Sequence, residues 1–302
     1  MEPLSFNFTF LQNADQTVQA SIPPQLLRLG SFQIIAPNRP FNAWQTKHHA
    51  DSYHLMQRIA EVWTHNQLTD QYLIYGKIHS EPFKWEMVPY KKCRTVIGRV
   101  FQQLQVLWRT VFGGWVLTEA MRKDQFHLFN KLACATPPSS AKASTMLPLK
   151  GEDAFCKDET IERQWVITGK KVNVLFNYAP IGFGGEKLHF LIVPKEHRET
   201  FPDVTQEEYC ESLALTTKLV DHFSATRKTI KNVYLLNKTG IDAGQSVKHW
   251  HLHVVFSTNA RQDFWGKLTV VKNILFGSSP MKNEDLLTKV DALRTELATI
   301  RI

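Results

Sequence analysis

The chain contains no run of 18 apolar residues, so a membrane-spanning helix is not expected. Its opening residues, MEPLSFNFTF, lack a basic stretch followed by an apolar block, so no signal peptide is expected. Cysteine is scarce. Cys93, Cys134, Cys156 and Cys210 are scattered without paired spacing, which argues against a disulfide framework and suits reduced thiols in an intracellular, cytoplasmic protein. Acidic residues are outnumbered, 28 Asp and Glu against 36 Lys and Arg, for a formal net charge of +8. That excess fits anionic partners such as nucleotides, nucleic acid or phosphorylated metabolites, although net charge alone also describes an ordinary solvated surface. What the chain does have is apolar mass: 43% of 302 residues are hydrophobic, enough for a substantial core in two domains or one large one.

The stretch CATPPSSAKASTMLPLK, 134–150, is rich in Pro, Ser, Ala and Thr, has no periodicity and reads as a linker. The sequence on its two sides is parallel in order. SFQIIAPNRPFNAWQTKHHADSYHLMQRIAEVW precedes it and HFLIVPKEHRETFPDVTQEEYCESLALTTKLVDHF follows it. Each reads as a short apolar strand ending in Pro37 or Pro194, a polar loop with an aromatic, and an amphipathic helix. DQYLIYGKIHSEPFKWEMVPYKK then matches KNVYLLNKTGIDAGQSVKHWHLHVVFST, and IGRVFQQLQVLW matches WGKLTVVKNILF, with Gly98 opposite Gly266 and Trp108 opposite Phe276. Repetition at this length predicts a duplicated unit. The expected organisation is a unit over 1–134, a linker over 135–150 and a second unit over 151–302. In the second unit strands are expected near 165–168, 172–177, 189–193, 232–237 and 247–256, with a helix near 205–224. Leu286, Val290, Leu293, Leu297 and Ile300 form the stripe of a closing helix. Strands joined without alternating helices predict an antiparallel sheet with a covering helix, an α+β layer. The apolar stretch 96–117 predicts a core or interface helix. Arg99, Gln102, Gln103 and Arg109 interrupt it, which counts against a peripheral membrane contact.

The segment HWHLHVV, 249–255, sets imidazoles at His249, His251 and His253 and apolar side chains at Trp250, Leu252 and Val254. Side chains alternate between the faces of a strand, so the apolar set is expected on a core and the three rings on the opposite face, about 6.6 Å apart. A metal ion could be shared by two of these rings, but His249 and His253 would stand about 13 Å apart. No second group of Cys, His or carboxylates shows ligand spacing, so no metal site is expected. Covalent catalysis at phosphorus fits better. Neutral imidazole is a competent nucleophile near pH 7, and a phosphoryl–nitrogen intermediate splits one displacement into two. His251, with a ring on each side, is the expected nucleophile, and its neighbours can donate to phosphate or leaving-group oxygens. Gly244, Gln245 and Ser246 precede it. Glycine permits close backbone approach, and the amide and hydroxyl can donate to phosphate.

AGQSVKHWHLHVV resembles the signature of the histidine triad (HIT) superfamily, His-x-His-x-His-x-x with x apolar. LHFLIVPKEHRETFPDVTQEE, VLFNYAP and VYLLNKTG resemble, in order, the segments that precede the triad in that family, so the resemblance covers roughly 152–258. It implies an α+β chain of two HIT-like units, antiparallel sheets with covering helices, forming an intrachain pseudo-dimer that is a monomer overall. It also implies a nucleotide substrate attacked at the α-phosphate through a nucleotidyl-histidine intermediate, without a cofactor. By position, His251 would be the nucleophile, His249 would orient it through a backbone contact, and His253 would assist the phosphate and leaving group. Asn177 matches the ribose-contacting position, Asn237, Gln245 and Ser246 match phosphate-side positions, and His189 matches a position near the active site. Three departures stand out. Asn237 lies one residue further from the triad than usual. The Cys-x-x-Cys pair that binds zinc in some members is absent, leaving only FCKD with Cys156. In the first half, Phe83, Trp85 and Met87 of FKWEMVP are expected where the histidines would stand. The third histidine resembles the hydrolase branches of the superfamily, and because a site determines chemistry more directly than a fold does, the expected activity is hydrolysis of a nucleoside phosphoramidate or a dinucleoside polyphosphate. The fused architecture leans toward its uridylyltransferases and dinucleoside polyphosphate phosphorylases, whose triad ends in glutamine. A branch acting on adenylated DNA ends also keeps three histidines, but no zinc finger or basic stripe with interleaved aromatics supports a nucleic-acid partner here.

Overall fold

A computed structural model describes residues 9–12, 15, 17–36, 39–78, 82–138, 153–181, 186–258, 278–298 and 300. The repeat partner WGKLTVVKNILF, Pro37 and residues 139–150 of the expected linker lie outside the described residues. The first half runs β1 (Thr9–Gln12), β2 (Gln19–Ser21), β3 (Gln25–Leu26), β4 (Phe32–Ile35), α1 (Thr46–His65), β5 (Tyr72–Ile78), β6 (Lys84–Pro89), α2 (Val96–Phe112), β7 (Trp115–Val116) and α3 (Glu119–Ala135). The second half runs α4 (Asp158–Gln164), β8 (Trp165–Thr168), β9 (Val172–Phe176), β10 (His189–Pro194), α5 (Gln206–Thr226), β11 (Asn232–Thr239), β12 (Leu252–Ser257) and α6 (Asn283–Leu297).

Ten strands form one antiparallel sheet in the order β1-β2-β4-β6-β5-β11-β12-β10-β9-β8. The order reads the same from either edge once the halves are exchanged, so β5 and β11 meet at a pseudo-twofold axis. The fold is the expected α+β pseudo-dimer. Helices α1 and α5 cover one face, each by a stripe at helical spacing: Leu55, Met56, Ile59 and Trp63 in α1, and Tyr209, Leu213, Val220 and Phe223 in α5. Helix α5 starts where Thr205 accepts from the Glu208 amide and Glu208 accepts from the Thr205 amide, a capping box that satisfies two otherwise orphaned donors. The closing helix α6 buries Leu286, Val290, Leu293 and Leu297, as its stripe predicts.

Two expectations need correction. The last strand begins at Leu252, not near 247, so His249 and His251 lie ahead of the paired strand, His249 at the end of a bend. Second, Phe83, Trp85 and Met87 do not occupy the histidine positions. They lie in the main core with Phe41, Trp44 and Trp63. Met87 pairs with Phe32 and Trp85 with Ile34, as Val254 pairs with Phe190 and Leu252 with Ile192. The residues facing the other way, Lys84 and Glu86, correspond to His251 and His253, and they form an ion pair at 2.8 Å. Side chains alternate with period 2, so a one-residue slip in alignment exchanges the faces. The first unit still lacks the triad.

Candidate active site

The position of His253 follows from the burial of its neighbours. Leu252, Val254 and Phe256 are buried under α5, each contributing roughly 1.5–3 kcal/mol. His253, paired with Leu191 and Leu236, is therefore turned to the opposite face. Asn237, buried on β11, donates from Nδ2 to the carbonyl of His251 at 2.9 Å. It holds the backbone of the triad segment.

Hydrogen bonds define the tautomers. His251 Nδ1 lies 2.7 Å from the carbonyl oxygen of His249. A carbonyl only accepts, so Nδ1 carries the proton and Nε2 keeps its lone pair. The Ile181 amide donates to His189 Nδ1 at 3.1 Å, which puts the His189 proton on Nε2. That nitrogen is 2.9 Å from His253 Nδ1 and donates to it, so His253 carries its own proton on Nε2. One ring thus offers an electron pair and its neighbour a hydrogen-bond donor, with ring centroids 4.7 Å apart. Burial holds all three rings neutral. Desolvation, with the neighbouring His249 and Lys238 as smaller contributions, lowers His251 to about 4. His189 falls to about 3 for the same first reason, and His253 is held well below its usual value by burial and the adjacent rings.

The first two of the three imidazoles are covered. His249 and His251 are buried, and the Phe155 ring stands 5.2 Å from His251 and 5.9 Å from His249. Asn177 is buried beside His189, with its Nδ2 3.1 Å from the ring Nδ1, and its Oδ1 accepts from the Ala179 amide. The Gln245 side chain is spent on backbone: Oε1 accepts from the Gly240 amide and Nε2 donates to the Glu199 carbonyl. Ser246 is exposed and lines an open cavity of about 520 Å³ with Asp153, His197 and Lys248.

The sequence reading missed four residues. Lys238 follows Asn237 on β11 and shares the face of Leu236, the partner of His253. Its charge acts on His189, His251 and His253, and burial lowers its own pKa. A Cβ on Gly244, whose φ is +90°, would lie 3.4 Å from Lys238 Nζ. The other three are Asp153, Cys156 and His197, which join His249 in a cluster whose ligand atoms all lie within 4.8 Å of one another. His249 Nε2 donates to the Pro194 carbonyl at 3.1 Å, which leaves the Nδ1 lone pair of the neutral ring aimed at the Asp153 carboxylate, 3.3 Å away. His197 Nδ1 reaches the same carboxylate at 2.8 Å, and Cys156 Sγ reaches both rings at 3.5 and 3.6 Å. The Cys156 thiol donates to the Asp153 carboxylate at 3.1 Å, and with that proton released the four S, N and O donors fit a zinc-like cation. The expectation of no metal site rested on linear spacing, and the fold assembles these donors from three separate segments.

Residues 159–259 match the HIT domain family model. An uncharacterized HIT-like protein of Methanocaldococcus jannaschii is 32% identical over 69 residues, 23% of this chain and 52% of that one. One from Helicobacter pylori is 30% identical over 69 residues and 64% of its length, so the chain spans about half to two thirds of these relatives. A GalT-like protein from Arabidopsis thaliana superposes with a TM-score of 0.51 at 11% identity, over 95% of this chain and 85% of that one; this is a likeness of fold. The similarity to the HIT domain thus lies in the second unit, which carries the three histidines, and the two-unit fold is like that of the GalT-like protein.

Proposed function

We propose that the second unit is a nucleotide hydrolase that cleaves at the α-phosphate through a nucleotidyl-His251 intermediate. The observation carrying this reading is the tautomer pair, an unprotonated Nε2 on His251 beside an N–H on His253. In the first step the Nε2 lone pair of His251 forms a bond to the α-phosphorus and the phosphorus–oxygen bond to the leaving group breaks. His253 Nε2–H and the Lys238 ammonium hydrogen-bond to oxygens that gain charge. In the second step water adds to phosphorus, the phosphorus–nitrogen bond breaks, the electron pair returns to His251 and one proton passes to solvent. Between a nucleoside phosphoramidate and a dinucleoside polyphosphate, the neutral rings favour the second. A polyphosphate departs as an anion and needs no proton, whereas an amine leaving group does. Asn237 and the His249 carbonyl position the nucleophile, Asn177 positions His189, and Ser246 offers a hydroxyl at the cavity. Asp153, Cys156, His197 and His249 would hold a cation that braces the segment ahead of the nucleophile.

The paired-unit fold favours a second reading, a nucleotidyltransferase or phosphorylase. The experiment that separates the two traps the intermediate with labelled dinucleoside polyphosphate and adds water alone, phosphate or a hexose 1-phosphate. Discharge by water at the turnover rate supports hydrolysis, and discharge only by the added acceptor sinks it. His251→Ala is expected to abolish labelling and to lower turnover by several orders of magnitude. Labelling that persists in this variant assigns the nucleophile elsewhere. Nucleotide binding without turnover in the unmodified chain makes the unit a binding module.

A further inference from the structure

Helix α2 is amphipathic the wrong way round for a helix packed on its own protein. Its polar side chains point inward. Gln102 exchanges hydrogen bonds with the backbone of Lys91 at 2.8 and 2.9 Å. Gln103 donates to the Asp242 carbonyl at 3.0 Å, Arg99 meets the Asp242 carboxylate at 3.1 Å, and Arg109 donates to the Leu27 carbonyl at 3.0 Å. At about 100° per residue these four share one side with buried Val106. The other side carries Val96, Ile97, Val100, Phe101, Leu104 and Trp108, with exposures between 36% and 82%. Beyond Gly113, Trp115 and Val116 are exposed at 53% and 75%, with the Arg109 guanidinium 4.6 Å over the Trp115 ring. The residues that interrupt the hydrophobic stretch in sequence are thus removed from its outer face. A contiguous apolar surface of this kind marks an interaction site.

The local charge narrows the partner. No Asp or Glu occurs between Glu86 and Glu119, and Lys91, Lys92 and Arg94 stand exposed beside the start of the helix. We propose that this face docks on an anionic lipid surface, with the apolar side chains entering the interfacial layer and the three cations meeting the headgroups. A second copy of the chain would bring the same basic face, without a carboxylate in this stretch to answer it. An anionic bilayer answers the three charges together and accepts the apolar stripe without shape matching. The inner side of α2 holds Asp242 and the turn that leads into the triad, so docking fixes the orientation of the site relative to the bilayer.

The test is cosedimentation of the full chain with vesicles of phosphatidylcholine alone and with vesicles that also contain phosphatidylglycerol. Binding is expected only to the second, and it should weaken as salt rises. Exchanging Lys91, Lys92 and Arg94 together for Gln should weaken partitioning roughly 100-fold, and Ile97→Glu with Phe101→Glu should abolish it. All five side chains are at the surface, and circular dichroism checks that both variants fold. Three results would overturn the proposal: the unmodified chain staying in the supernatant with anionic vesicles, binding that survives the Ile97/Phe101 variant, or light scattering that shows a dimer which this variant splits.

Discussion

Lys238 differs from the other polar groups around the triad because it brings an amine to a face where the rings are neutral. Burial lowers its pKa, which measures the cost of holding an ammonium there without an anion beside it. A bound phosphate would relieve that cost. Lys238→Gln keeps most of the side-chain volume and removes the charge, so kcat/KM for a dinucleoside polyphosphate is expected to fall about 10- to 100-fold, the size of one charge-assisted hydrogen bond. Unchanged kinetics would mean that the ammonium does not meet the substrate. His49 shows the same physics without chemistry. It is buried against Phe41 and Trp44, its Nδ1 has no hydrogen-bond partner, and desolvation followed by the nearby His48 lowers it to about 4. A folded-state pKa below the unfolded value of 6.5 means that the unfolded chain binds the proton first. This contribution is therefore intact above pH 6.5 and is lost as the pH falls toward 4, at most roughly 3 kcal/mol. Denaturant titrations across that window should show a shallower acid loss for His49→Phe than for the unmodified chain. Parallel curves would contradict the assignment.

At the scale of elements, the short turn Ala154–Cys156 and its flanking Asp153 link the site to α4. Asp153 accepts from the Phe155 amide at 2.7 Å, which aims its carboxylate at His249 and His197 and sets the Phe155 ring over His251. Metal analysis of the purified chain should find zinc at one per chain, with chelation lowering the Tm. Asp153→Ala and Cys156→Ser should each lower the metal content. A metal-free chain with a Tm indifferent to chelator would refute the cation site. This element also marks where sequence reading stops. Apolar and imidazole side chains alternate cleanly from Trp250 to Val254, so the core face of β12 is legible without coordinates. The Asp153–Cys156–His197–His249 cluster is not, because its members come from three segments and contact depends on β10 running beside β12. In and just after β6 the pattern is ambiguous because Val88 and the following Tyr90 are as buried and apolar as Trp85 and Met87 on the core side, so register could not be read from hydrophobicity. Helix α2 was legible as a helix but not in its orientation, since a stripe shows which residues share a face and not what that face meets.

At the scale of the molecule, two units read as a repeat in sequence become one sheet through the β5–β11 ladder. Tyr234 pairs with Lys77, Leu236 with Tyr75 and Lys238 with Leu73. The pseudo-twofold axis passes beside the Tyr75–Leu236 pair and exchanges Lys77 with Lys238. Above this seam the covering helices touch: Tyr53 donates to the Val204 carbonyl at 2.6 Å, Gln57 donates to the Phe201 carbonyl at 3.1 Å, and the Tyr53 and Tyr209 rings lie 5.5 Å apart. Without the first unit, β11 would become an open sheet edge and the aromatic face of α5 would meet water, a combination that favours aggregation. The half without the triad therefore covers the sheet edge and the aromatic face that the other half would otherwise expose. Cutting the chain at a protease site inserted between 139 and 152 should leave both pieces co-eluting at the mass of the intact chain, with turnover retained. A fragment beginning at residue 153 and made alone should aggregate or unfold at a clearly lower temperature. If that fragment is monodisperse with the Tm of the intact chain, or if the cut pieces separate in native buffer, then the seam is an ordinary domain contact and the second unit does not need the first in order to fold.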